Sequence, residues 1–101
     1  MSRYRMEDGT IIDTEKASKE WMEATFWDGR NQVSRATGDQ FYHQKLYRSR
    51  KGRYYVECWS DWQGSRAHAE MVSPEEAARW LLANECDLPE DLAKFEDEII
   101  E

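Results

Sequence analysis

His43, Cys58, His68 and Cys86 are the side chains of this sequence best suited to a soft metal ion. Zinc sites usually draw such ligands in close pairs, as in CxxC or HxxxH, so that one turn or helix face presents two at once. No two of these four are so spaced. A hairpin through this region would put His43 and Cys58 on opposite faces, and a zinc centre would need all four to converge from separate elements. The spacing therefore predicts two structural thiols, two ordinary histidines and no metal. Nucleophilic catalysis has no better footing, because no serine sits in a nucleophile elbow and neither cysteine has a histidine close by in sequence to activate it. The chain has no GxGxxG and no phosphate loop, so no cofactor is expected. No set of residues identifies an enzyme.

The residues with the clearest capacity to bind are Arg48, Arg50, Lys51 and Arg53, which fall within six positions and are interleaved with Tyr47, Tyr54 and Tyr55. Cations neutralise phosphates or carboxylates, and aromatic rings can stack on bases, so the composition fits contact with a polyanion. The structural alternative is a polar turn whose tyrosines pack the sheet. Tyr47, Arg48, Arg50, Lys51, Arg53 and Tyr55 form the expected binding face. A weaker aromatic surface is expected at Trp59, Trp62 and Gln63, because clustered exposed aromatics mark interfaces.

Charge sharpens the contrast. The chain carries a net −7, yet residues 1–28 hold −3, residues 29–69 hold +5 and residues 70–101 hold −9. An acidic C-terminal segment could present phosphate-like charge to a basic partner, or meet the basic tip of a second copy. It also weakens the case for strong nonspecific DNA binding.

Local chemistry dictates the scaffold beneath these groups. Asp8-Gly9 predicts a turn between two short strands over Tyr4–Ile12. Asp13 or Thr14 can cap a helix over about 15–26, in which Ala17, Trp21 and Ala24 or Thr25 share a stripe. Residues 28–39 predict a loop. Phe41–Arg48 and Arg53–Trp59 predict a hairpin around Ser49-Arg50-Lys51-Gly52, with a bulge at Gly52. That register sets Leu46 against Val56, Gln44 against Cys58 and Lys45 against Glu57, an apolar pair on one face and an opposite-charge pair on the other. Ala67–Val72 predicts a further strand. Ser73-Pro74-Glu75-Glu76 combines an N-cap, a first-turn proline and a capping-box glutamate, starting a helix that runs to about Asn84. A last acidic helix is expected at about 89–99, with Leu92, Phe95 and Ile99 on one side.

At 101 residues the chain predicts a single domain. Its 13% aromatic content offsets a 35% charged fraction and argues for an ordered core. No apolar run approaches the roughly 18 residues that a membrane span needs, so no membrane role is expected. Two cysteines make no disulfide framework, and the chain reads as cytoplasmic with free thiols.

Three segments carry a resemblance: Ile12-Asp13-Thr14-Glu15-Lys16-Ala17, Leu46 to Tyr55, and Glu75-Glu76-Ala77-Ala78-Arg79-Trp80-Leu81. Together they resemble small uncharacterised bacterial proteins often found on phage-like or other mobile DNA. The resemblance spans about residues 10–92 and implies an accessory role, with no activity, cofactor or catalytic residue attached. The sequence thus predicts an α+β domain, an antiparallel sheet of three to five strands with a central bulged hairpin, packed against two or three helices. Its expected role is that of a non-enzymatic interaction module holding a protein partner through the basic hairpin face or the acidic helices. Direct nucleic-acid binding is the alternative and a small enzyme of unknown class the third reading; a homodimer is compatible with the charge pattern.

Overall fold

Turn chemistry sets the first two elements of the computed structural model, which describes residues 3–62, 64 and 66–100. Gly9 takes φ +89°, the Asp8 carboxylate accepts the Thr10 N–H at 2.9 Å, and strands β1 (Arg3–Arg5) and β2 (Ile11–Asp13) pair around them. Asp13 then caps as expected, accepting the Glu15 N–H at 3.0 Å, but the segment it caps is a single 3-10 turn (Thr14–Lys16). The helix expected over 15–26 does not form. Ala17 is extended, and Lys19–Met22 becomes β3 and Thr25–Trp27 becomes β4. An i, i+4 stripe is equally consistent with a strand, since four is a multiple of two. Pairing with a neighbouring strand then decides the outcome, and Trp21 still reaches the core, 6.2 Å from the Tyr54 ring.

The expected loop at 28–39 contains β5 (Gln32–Ser34), which pairs with β4. Asp28 organises the turn between them by accepting the Arg30 and Asn31 N–H groups, each at 2.8 Å.

The central hairpin, β6 (Tyr42–Arg48) and β7 (Tyr54–Ser60), has the expected register, with Leu46 opposite Val56, Lys45 opposite Glu57 and Gln44 opposite Cys58. Gly52 sits at φ +86° and donates to the Ser49 carbonyl at 3.0 Å. Strand β8 (His68–Val72) completes a four-stranded antiparallel sheet in the order β3-β6-β7-β8.

Helix α1 (Pro74–Ala83) begins with the full capping box: Ser73 Oγ accepts the Glu76 N–H at 3.1 Å, and the Glu76 carboxylate accepts the Ser73 N–H at 3.0 Å. These bonds hold the Glu76 carboxyl below the usual range, with the Ser73 N–H the main cause. The last acidic segment divides into a 3-10 helix (Glu90–Phe95) and one turn of α-helix, α2 (Glu96–Ile99). Its apolar side is the one expected: Leu92 is buried, and Phe95 and Ile99 pack beside it.

Strand alternation gives the sheet two cores. Leu46, Tyr54 and Val56 meet Ala77, Ala78, Leu81 and Leu92 on the helical face. Tyr47 and Tyr55 meet Ile12 on the other, beneath the N-terminal hairpin. Among the described residues no helix is long and apolar enough to cross a membrane.

Candidate functional site

The tip residues divide between faces and solvent according to strand period. Tyr47 and Tyr55 are opposite each other in the ladder, only 4% and 2% exposed, and stacked at 5.1 Å with an interplanar angle of 11°. Tyr54, on the other face, is 2% exposed. The rings that could have stacked on bases are therefore sheet core, which corrects the expectation for Tyr47 and for the ring of Tyr55. Arg48 also leaves the binding face. It lies on the helical side, where its Nε is 3.3 Å from Asp91 Oδ2 and its Nη1 donates to Ser18 Oγ.

The rest of the tip forms one wall of a groove of about 550 Å³. Arg50, Lys51 and Arg53 line it from the hairpin, and Lys16, Ile11 and Met71 line it from the 3-10 turn, β2 and β8. Among the described residues no carboxylate lies within 4.0 Å of the charged groups of Lys16, Arg50, Lys51 or Arg53. Asp13 also borders the groove, but its carboxylate is engaged by the Glu15 N–H and by Arg3 Nε at 3.1 Å.

The groove wall includes Tyr55, and its hydroxyl has no hydrogen-bond partner among the described residues. Two neighbouring hydroxyls share Glu57: Tyr47 Oη donates to Oε1 at 3.1 Å and Tyr4 Oη to Oε2 at 2.5 Å. The buried Tyr55 hydroxyl makes no such bond. Burial, then Glu57, pushes its pKa up to about 12, so it stays a protonated donor at neutral pH. A buried donor without an acceptor costs about 1–3 kcal/mol, and native structures contain few.

Trp59 and Trp62 lie at the opposite end of the hairpin, roughly 20 Å away for strands of this length. Trp59 stacks on His43 at 5.7 Å, and Trp62, 54% exposed, packs on Phe41 at 4.7 Å. Gln63 lies outside the described residues. The structure does not join this aromatic surface to the basic tip.

The four soft ligands do not converge. His43 Nδ1 lies 2.7 Å from Glu23 and Nε2 lies 2.8 Å from Asp61, while Cys86 Sγ lies 3.6 Å from the Asn84 carbonyl at the end of α1. Sequence reasoning missed Lys16, Ile11 and Met71, which only the tertiary placement of β2 and β8 brings to the tip. Comparison of the chain with protein-family models, curated proteins and solved structures finds no match.

Proposed function

We propose that the protein is a non-catalytic binding module that captures an acidic segment of a protein partner in the groove beside the hairpin tip. The observation that carries this reading is a cluster of cations without a close carboxylate: among the described residues Arg50, Lys51, Arg53 and Lys16 line one groove with no carboxylate within 4.0 Å of their charged groups. A carboxylate entering there meets long-range attraction and guanidinium and ammonium donors, while Ile11 and Met71 can receive an apolar side chain of the same segment. Nucleic acid fits less well, because the tip tyrosines are not available for stacking and the chain bears −7 overall. An accessory role in the cytoplasm, of the kind implied by the resemblance to small proteins of mobile DNA, agrees with such a module.

The test compares a glutamate-rich peptide containing one leucine with a single-stranded oligonucleotide of equal charge. Reversing Arg50 and Lys51 to Glu is expected to abolish peptide binding and to leave stability within about 0.5 kcal/mol, since exposed apical side chains support no core. Tyr55→Phe should leave peptide binding unchanged and the protein as stable as before or more so, because it removes an unsatisfied buried group. Glu90→Lys should leave peptide binding intact or strengthen it. Preference for the oligonucleotide, or insensitivity to the tip reversal, would overturn the reading.

A further inference from the structure

Beyond the tip groove, we propose that Cys58, His68 and Glu70 form a binding site for a zinc-like divalent cation, with a fourth position open for exchange. The site comes from ladder geometry that spacing along the chain conceals. Cys58 and His68 are direct partners across β7 and β8, and Glu70 is two residues further along β8, so all three project from one face of the sheet. One ligand atom from each lies within 4.8 Å of the other two. His68 Nε2 and Glu70 Oε1 are 3.3 Å apart. That separation is the one expected for two ligands held at about 2.0–2.1 Å by a tetrahedral centre.

The sulfur is supported from behind. Gln44 sits opposite Cys58 on β6 and its Nε2 donates to Sγ at 3.5 Å. Its orientation is not arbitrary, because Gln44 Oε1 accepts the Trp80 indole N–H at 3.0 Å, and an indole can only donate. Helix α1 thereby turns an amide N–H toward the sulfur, the kind of outer contact that orients a ligand.

His68 and Glu70 are exposed at this end of the sheet. The ligands border a groove of about 300 Å³ that Arg66 also lines. A thiolate and a carboxylate balance a doubly charged ion, and the imidazole binds neutral. As the metal–sulfur bond forms, the thiol proton passes to solvent. Sulfur and imidazole ligands select against magnesium and calcium and suit zinc. The open fourth position takes water or an anionic group, which Arg66 would favour.

Cobalt(II) is the probe, titrated anaerobically into the Cys86→Ser protein so that Cys58 is the sole thiol. The expected result is a sulfur-to-cobalt charge-transfer band with tetrahedral visible bands, bleached by zinc and absent from the Cys58→Ser form. His68→Ala and Glu70→Gln, both at exposed positions, should each weaken cobalt at least about tenfold, and Gln44→Leu by about tenfold. Circular dichroism of each variant confirms that it is folded. Absence of the band in Cys86→Ser protein would overturn the site, as would a band whose affinity is unchanged by His68→Ala and Glu70→Gln, since that would mean binding by the thiolate alone.

Discussion

Arg48 and Asp91, 43 positions apart, are joined by a guanidinium–carboxylate contact of 3.3 Å, and the Tyr54 hydroxyl donates to the same carboxylate oxygen at 2.8 Å. One charge of the acidic C-terminal segment is thus committed to holding that segment against the hairpin. Burial alone would raise the Asp91 carboxyl, but the Tyr54 and Arg48 bonds outweigh it and hold the pKa below its usual value. Stability from such a group is present above the unfolded value, about pH 3.9, and is lost as pH falls through the lower folded value. Asp91→Asn is therefore expected to cost about 0.5–1 kcal/mol at neutral pH, a figure kept small because the carboxylate is 43% exposed. Urea melts should show the difference from the parent shrinking below about pH 3.9.

His43 titrates in the opposite sense. Burial pushes its imidazole down, yet hydrogen bonds to Glu23 and Asp61 on its two ring nitrogens raise the pKa overall. Both nitrogens must donate, so the charged form is the one that is bound. Its contribution is complete below about pH 6.5 and is lost as pH rises through the raised folded value. The urea midpoint should fall as pH rises above about pH 6.5 in the parent, and His43→Gln should flatten that slope.

Two left-handed positions predict opposite outcomes. Gly52, at φ +86°, would place a Cβ 3.4 Å from the Arg48 guanidinium, so Gly52→Val should destabilise by about 1–2 kcal/mol. Glu85 occupies φ +62° just past α1, where the Cys86 N–H returns to the Leu81 carbonyl at 2.8 Å. Glycine is the favoured residue at that step. Glu85→Gly should raise stability by roughly 0.5–1 kcal/mol, and a thermal melt distinguishes the two signs.

The hairpin is legible in the sequence because its register satisfies both faces at once: Leu46 with Val56 on one side and Lys45 with Glu57 on the other. The capping box is legible because its determinants are four consecutive residues. The segment around Trp21 is not, since its spacing suits either period and the unpaired edge of β6 decides between them. The site is half visible. Arg50 and Lys51 project as a turn apex must, but Arg48 leaves by alternation. The isolation of the buried Tyr55 hydroxyl is a property of tertiary packing, which no local pattern in the sequence registers. Likewise, the approach of His68 to Cys58 is a property of the ladder, which CxxC-type spacing cannot register.

The two-cored sheet has a consequence for how the molecule can change. Adjacent positions on β6 or β7 share a backbone but almost no neighbours: Leu46 answers to helix α1, and Tyr47 answers to the N-terminal hairpin. Substitutions at even and odd positions therefore face separate packing problems, and well-separated pairs on the two faces that share no neighbours combine with little interference. The groove walled by Tyr55 and the face bearing Cys58 can drift independently, one retuned for a new ligand while the other keeps its shape. A single hairpin thus supports two independently packed surfaces.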